Sequence, residues 1–197
     1  MTITAAHDPR TGWRVVDIVV AAAIGVAFGV VFWQWGVVWA PLFAGQVNPL
    51  AYLVSGMWLV PGVLAMLIIR RPGAAIFAET LAAIVSALLG SFWGLDVILS
   101  GAVQGAGAEL VFAMFLYRSF SLPVALLAGA GAAIGEWLHD MPVYYPSTAF
   151  EVQLAYGAFM LISGVVIAGA GSWLLVRALA PTGVLAPFSA GRDQPEV

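Results

Sequence analysis

The chain of 197 residues contains no cysteine, no lysine and only two histidines, His7 and His139. Without cysteine there is no disulfide, no thiolate metal site and no cysteine nucleophile. The absence of lysine excludes a Walker A phosphate loop and a Schiff-base cofactor. Two histidines argue against a zinc site, so we expect neither a metal nor a cofactor. If the protein takes part in ATP-driven work, another chain must bind the ATP.

Charge is also scarce. Charged residues make up 9% of the chain and hydrophobic residues 62%, and the mean hydropathy is +1.01. A water-soluble domain of this size could not bury so much apolar surface. The composition therefore predicts an all-α integral membrane protein that forms a single bundle. The net charge of −3 gives no reason to expect a nucleic-acid partner.

Six apolar stretches predict six transmembrane helices, at residues 15–39, 50–69, 74–89, 95–117, 122–138 and 153–178. Residues 40–49 and 139–152 contain prolines and polar residues, and we expect loops there. The predicted organisation is an N-terminal segment at 1–14, a transmembrane domain at 15–180 and a C-terminal tail at 181–197.

The arginines predict the orientation of these spans. They lie before the first span, between the second and third, between the fourth and fifth, and at the end of the sixth and after it. The loops on the opposite side, 40–49, 90–94 and 139–152, contain no basic residue. The positive-inside rule then predicts that both termini are cytoplasmic.

Three polar side chains, Glu79, Gln104 and Glu109, fall deep inside apolar stretches. Such groups are costly in hydrocarbon unless something pairs with them, so they indicate a functional site. Asp96, Ser100 and Gln104 follow one another at i+4 on the fourth span, whereas Glu109 lies about 140° away from Gln104 around the axis. With no basic residue at their depth, the two glutamates either are neutral and hydrogen-bonded within the protein or bind a cationic, donor-rich ligand.

The outer end of the fifth span carries a second polar group. Glu136, His139 and Asp140 share one helix face at i, i+3 and i+4, which predicts a carboxylate cluster at an outward-facing mouth. Tryptophan and tyrosine would add cation–π contacts to a small, positively charged aromatic ligand. The aromatic candidates for this pocket are Trp35, Tyr52 and Trp58.

The first span carries small residues at regular spacing. Ala21, Gly25 and Gly29 recur every four residues, and Ala23 and Ala27 form a parallel set. Small residues at this spacing let another helix approach closely. They serve either internal packing or docking to a separate subunit.

Three stretches resemble the YkoE family of bacterial membrane proteins: Arg-Pro-Gly-Ala-Ala-Ile-Phe-Ala-Glu at 71–79, the block at 101–112 that contains Gln104-Gly-Ala-Gly-Ala-Glu109, and Pro-Thr-Gly-Val-Leu at 181–185. The family comprises S components of energy-coupling factor (ECF) vitamin transporters, which are associated with thiamine and its hydroxymethylpyrimidine (HMP) precursor. The resemblance runs from about residue 15 to 185 and includes Trp58 and Glu79.

This resemblance implies a six-helix substrate-binding subunit of the bacterial cell membrane, and not an enzyme. Its implied partners are a transmembrane coupling subunit and two ATPase subunits, and its first helix would meet the coupling subunit through the small residues. Thiamine carries a fixed positive charge and an aminopyrimidine, which suit carboxylates, a glutamine and tryptophans.

Three other functions stay open from the sequence. A proton-coupled secondary carrier would use Glu79 or Glu109, although the two halves show no convincing inverted repeat. An intramembrane hydrolase would pair a serine with His139 but lacks a nucleophile motif. A purely structural subunit would leave Gln104 and the buried acids unexplained.

Overall fold

A computed structural model describes residues 12–192. The predicted N-terminal segment lies mostly outside these residues, as does the end of the predicted tail. Within the described part the regular structure is helical, with no strand. Its helices are α1 (Val15–Phe43), α2 (Pro49–Ile69), α3 (Ala74–Leu88), α4 (Asp96–Met114), α5 (Leu122–Tyr144), α6 (Phe150–Thr182) and the short α7 (Ser189–Arg192).

Five of these helices, α1, α2, α4, α5 and α6, are long and apolar enough to cross a membrane. The sixth predicted span corresponds to α6, and the third corresponds to α3, which is apolar but has only 15 residues. The prediction of an all-α, multi-pass membrane protein is confirmed.

Two helices extend further than the sequence predicts. α1 continues through Pro41 to Phe43, and α5 continues through Pro142 to Tyr144, where we expected a loop from residue 139 onward. Each proline lies in the last turn of its helix, so only one backbone hydrogen bond is lost there and the helix persists. As a result, His139 and Asp140 lie on the same regular helix as Glu136.

The helix α2 changes its winding halfway. Residues Pro49–Leu59 form a 3₁₀-helix, and Val60–Ile69 form an α-helix. Pro61 lies just after the change and has no N–H to continue the hydrogen bonding of the preceding turn. A 3₁₀ segment of 11 residues is unusually long, which makes this half of α2 a candidate for a functional role.

Residues Gly164–Gly171 of α6 form a π-helical segment. The residue just before it, Ser163, contacts the 3₁₀ half of α2. The hydroxyl of Ser163 accepts a hydrogen bond from the Gly56 N–H at 2.8 Å and donates one to the Leu53 carbonyl oxygen at 2.7 Å. One serine at the start of the π segment therefore ties α6 to two backbone groups of α2.

Glycines allow the helices of the bundle to approach closely. A Cβ added at Gly107 of α4 would lie 2.2 Å from the Gly131 carbonyl oxygen of α5, and one at Gly131 would lie 2.5 Å from the Gly107 oxygen. The backbones of α4 and α5 are thus in direct contact, as small residues permit in membrane bundles. This contact sets the distance between the two helices that carry the polar candidates.

The small residues of α1 divide into two sets. Ala21, Gly25 and Gly29 are buried, and a Cβ at Gly29 would lie 2.4 Å from the Val85 Cβ of α3. For this set the geometry favours internal packing, the first of the two alternatives, since Gly25 and Gly29 contact α3. Ala23 and Ala27 face away from the bundle and are exposed.

Candidate functional site

A cavity opens between α1, α2, α4 and α5, at the end of the bundle where α2 and α4 begin. It encloses about 480 Å³, counting its open mouth. Sites for small molecules commonly combine apolar walls with a few polar groups in this way. Its aromatic lining consists of Phe32, Trp39, Tyr52, Trp58, Trp93 and Tyr144, and its polar lining of Ser100, Gln104, Glu136 and Asp140.

The 3₁₀ half of α2 supplies one side of the cavity. With three residues per turn, side chains at i and i+3 lie directly above one another, so Tyr52, Ser55 and Trp58 share one face. In an α-helix the same three positions would spread over about 120°, a third of a turn. The Ser55 hydroxyl donates a hydrogen bond to Oε2 of Glu136 at 3.1 Å. The 3₁₀ winding therefore aligns the two aromatic rings that line the cavity with the hydroxyl that holds Glu136.

The helices α4 and α5 supply a chain of polar groups on the other side. Gln104 Nε2 donates to the Ser100 hydroxyl at 2.9 Å, and that hydroxyl donates to Oδ1 of Asp140 at 3.4 Å. Nδ1 of His139 lies 2.9 Å from the same carboxylate oxygen. Glutamine, serine, aspartate and histidine thus form one connected network, which fixes the side chains that face the cavity.

A second cluster lies at the mouth of the cavity. Tyr144, at the end of α5, donates a hydrogen bond to Oδ2 of Asp96, at the start of α4. Nε2 of His139 lies 3.5 Å from the same oxygen. This cluster joins the ends of the two helices at the rim, where the polar network begins.

Three tryptophans form the aromatic wall. Trp58 lies edge-on to Trp93, with ring centroids 5.1 Å apart, and Trp39 lies 6.0 Å from Trp58 and 5.6 Å from Trp93. The indole N–H groups of Trp39 and Trp58 donate to the carbonyl oxygens of Ala51 and Phe32, each at 3.3 Å. Because these N–H groups have partners, the rings of Trp39 and Trp58 are held in place at the wall of the cavity.

The cavity carries acidic groups and, in its described lining, no basic residue. Glu136 is 2% exposed and Asp140 8%. The described arginines lie near the opposite ends of the helices, outside this lining. Within the described residues, no group of three or more histidine, aspartate or glutamate side chains could hold a metal ion. Buried carboxylates of this kind suit a ligand that brings its own positive charge or hydrogen-bond donors.

Five predicted site residues meet at this cavity: Tyr52, Trp58, Gln104, Glu136 and Asp140. His139 does not line the cavity but forms a hydrogen bond with Asp140, which does. Trp35 lies outside the lining, and its N–H donates to the Val54 carbonyl oxygen at 3.3 Å.

Glu79 is buried but does not line the cavity. Its Oε2 accepts a hydrogen bond from the Gly62 N–H at 2.8 Å, near the start of the α-helical half of α2. Amide groups at a helix start lack partners in the helix itself, so this carboxylate satisfies one of them. The other oxygen, Oε1, is buried without a hydrogen-bond partner among the described residues. Glu79 of α3 therefore binds the backbone of α2 close to the point where the 3₁₀ half joins the α-helical half.

Glu109 likewise faces the backbone. Its two oxygens accept hydrogen bonds from the N–H groups of Gly73 at 2.7 Å and Ala75 at 3.0 Å, at the start of α3. A carboxylate in this position caps the helix and interacts favourably with its dipole. Burial and the neighbouring Glu109 raise the pKa of Tyr117 to about 12. For Glu109, the geometry favours the internal alternative over contact with a ligand.

We expect replacement of Glu109 by alanine to destabilise the protein without changing its ligand affinity. The variant leaves two backbone N–H groups of α3 without their acceptor, at roughly 1.5–3 kcal/mol for each charge-assisted hydrogen bond. Thermal unfolding of the purified protein measures the loss, and a ligand titration on the folded fraction should change less than about threefold. A tenfold weaker affinity would instead place Glu109 in the binding site.

Sequence reasoning missed Trp39, Trp93 and Ser55 as site residues. Trp39 has the position of an interfacial anchor. Trp93 lies in a short turn between two apolar stretches, and no sequence pattern there indicates that its side chain lines a cavity. The signal for Ser55 was its spacing of three from Tyr52 and Trp58, between Pro49 and Pro61. That spacing has meaning only for a 3₁₀-helix.

Comparison with known proteins adds three findings. Residues 16–135 match the family described as "ABC-type cobalt transport system, permease component". A Bacillus subtilis (strain 168) protein named as an HMP/thiamine permease protein, YkoE, is 37% identical over 183 residues, which are 92% of each chain. A solved structure described as the crystal structure of an S component of an ECF transporter matches with a TM-score of 0.85 and 36% identity, over 92% of this chain and 93% of that one.

Proposed function

The chain belongs to the YkoE family of ECF transporter S components, and from this premise we propose that it captures thiamine or its HMP precursor from outside the cell for an ATP-driven importer. It would act as the substrate-binding subunit in the bacterial cytoplasmic membrane. The relatives are transporter components rather than enzymes.

The observation that carries the proposal is the lining of the cavity, which combines carboxylates and aromatic rings and, among the described residues, contains no basic side chain. Glu136, Asp140 and Gln104 line the same cavity as three tryptophans. A ligand with a positive charge, an aromatic ring and an edge of donors and acceptors matches all of these groups at once. Thiamine has each of these features, and HMP has all except the fixed charge.

The polar network suggests how the ligand would lie. Gln104 uses its Nε2 on Ser100, so its carbonyl oxygen is available to accept from the amino group of a pyrimidine. Glu136 already accepts from Ser55 and would use its second oxygen on the charged or donor-bearing part of the ligand. The tryptophan faces would cover the rings. In this arrangement His139 positions Asp140 and does not touch the ligand.

We further propose six membrane crossings with both termini in the cytoplasm, and a transmembrane domain that spans 15–180. In this topology α3 is the third of the six crossings, although its 15 residues give about 22 Å against the roughly 30 Å of a bilayer core. It packs against α1 and α4, which are both longer helices. The described arginines then all lie on the cytoplasmic side.

The partners would be a transmembrane coupling subunit and two ATPase subunits. With Ala21, Gly25 and Gly29 buried, the small residues of the predicted docking sets that stay exposed on α1 are Ala23 and Ala27. Small side chains there would let a partner helix approach the backbone of α1.

Replacing Ala23 and Ala27 by leucine should abolish co-purification with the coupling subunit and leave ligand affinity within about twofold. The added side chains point away from the bundle, so the fold and cavity should be unaffected. Val166→Leu, at an exposed position of α6, is a matched control that enlarges a different outer face. Undiminished co-purification of the Ala23/Ala27 double variant would move the docking surface elsewhere.

Uptake by proteoliposomes tests the transport role. We expect the chain alone to bind ligand but not to accumulate it, and accumulation to require the coupling and ATPase subunits together with ATP. ATP-independent accumulation that follows a proton gradient would contradict this and support a secondary carrier, since such a carrier needs no ATPase partner.

A further inference from the structure

A second, wider cleft lies at the end of the bundle opposite the cavity. It forms between the end of α2, the segment that joins α4 to α5, and the end of α6, and it encloses about 1180 Å³ including its mouth. Its polar lining consists of Arg70, Arg118, Arg177, Ser119 and Ser121. The described lining contains no carboxylate. It is a concentration of positive charge on a chain whose net charge is −3.

Aromatic rings hold two of the guanidinium groups. Arg177 lies over the ring of Trp173, 4.6 Å from its centroid, and Arg70 lies 4.6 Å from the centroid of Phe120. Arg70 also donates from Nε to the Leu67 carbonyl oxygen at 3.3 Å. A guanidinium stacked on a ring keeps N–H donors in a planar fork that matches a phosphate group.

Arg118 and the two serines complete the polar side. Arg118 is exposed, and the hydroxyls of Ser119 and Ser121 lie 3.3 Å apart beside it. The arginines can neutralise an anion while the hydroxyls donate hydrogen bonds to its oxygens. Phosphate oxygens accept both kinds of contact.

The position of the cleft indicates the source of the phosphate. Arg70 follows the apolar helix α2 directly, Arg118 lies just beyond α4, and Arg177 lies in the last two turns of α6. These positions fall where helices leave the hydrocarbon. Leu67, Phe120 and Val176 line the apolar side, and Trp173 adds a ring of the type found at membrane interfaces. Basic pockets between helices at this level bind lipid head groups.

We propose that this cleft binds an anionic phospholipid, with its phosphodiester against Arg118, Arg177 and the serine hydroxyls and its first methylenes against the apolar side. A bound lipid would brace the α4–α5 segment against the end of α6. The proposal is independent of the identity of the transported substrate.

Native mass spectrometry of the full-length protein tests it, with dioleoylphosphatidylglycerol and dioleoylphosphatidylcholine added in parallel. Each interfacial arginine contributes about fivefold in affinity, which corresponds to about 1 kcal/mol. We expect the wild type to prefer phosphatidylglycerol at least tenfold, and the double variant Arg118→Gln/Arg177→Gln to lose this preference. Arg192→Gln, an exposed arginine outside the cleft lining, is the matched control and should retain it.

Three outcomes would overturn the proposal. The first is equal binding of the two lipids by the wild type. The second is a loss of the preference for phosphatidylglycerol in the Arg192→Gln control that is as large as the loss in the double variant. The third is displacement of the lipid by millimolar inorganic phosphate, which would mean that the cleft recognises a free anion. Since the variants lie far from the cavity, unchanged ligand binding and unfolding temperature would verify that they are folded.

Discussion

Glu136→Gln is expected to weaken thiamine binding by about tenfold to a hundredfold while leaving HMP binding within about threefold. The substitution keeps the volume and an acceptor for the Ser55 hydroxyl, but it removes the negative charge. A charge-assisted interaction in a buried site contributes roughly 1.5–3 kcal/mol, and each 1.4 kcal/mol is tenfold in affinity. Only thiamine brings a fixed positive charge to this position, so the two ligands should respond differently.

Isothermal titration of the purified variant with each ligand measures the effect. Glu151→Gln is the matched control, because Glu151 is an exposed carboxylate in the first turn of α6 and does not line the cavity. It should bind both ligands like the wild type. Unchanged thiamine affinity in Glu136→Gln would mean that this carboxylate does not bind the charge of thiamine, and an equal loss for both ligands would indicate a hydrogen-bonding role instead.

The second large effect is expected at the contact of α4 with α5. Gly131→Ala should lower the free energy of unfolding by about 1–3 kcal/mol, and Gly131→Val should prevent recovery of monodisperse protein. A Cβ at Gly131 would lie 2.5 Å from the Gly107 carbonyl oxygen and 2.8 Å from Cγ2 of Val111. Neither the backbone oxygen nor the packed valine can move away without separating the two helices.

Thermal unfolding in detergent, followed by size-exclusion chromatography, checks this prediction. Gly171→Ala is the control, since the nearest atom to an added Cβ there is the Val166 carbonyl oxygen at 3.8 Å. It should be neutral or slightly stabilising, because alanine is the better helix former by about 1 kcal/mol. Equal stability of the two alanine variants would mean that α4 and α5 are further apart than described.

The class of the protein followed from composition, and much of the cavity from helix spacing. Gln104 stands out because an amide in the middle of an apolar helix is costly unless a polar partner or a ligand pairs with it. Glu136 and Asp140 share a helix face at i+4, which the structure retains because α5 continues through Pro142. Single-helix periodicity was sufficient for these residues.

Sequence reasoning was weakest where the partner of a side chain lies on another helix. Glu79 and Glu109 look identical to Gln104 in an apolar stretch, but their oxygens accept from the backbone N–H groups of Gly62 and Gly73. Which backbone groups lack partners depends on where α2 changes winding and where α3 starts. The same limit applies to the small residues of α1, since only the packed bundle distinguishes Gly29 from Ala27.

The most direct test of substrate capture by this cavity is a titration of the purified full-length chain, without partner subunits, followed by tryptophan fluorescence. Three of its eight tryptophans line the cavity, so a bound ligand should change the signal. We predict a saturable change with thiamine or HMP at one-to-one stoichiometry, and its loss in a Gln104→Ala variant that remains folded. No saturable change with either compound, or an unaltered response in Gln104→Ala, would contradict the proposed function.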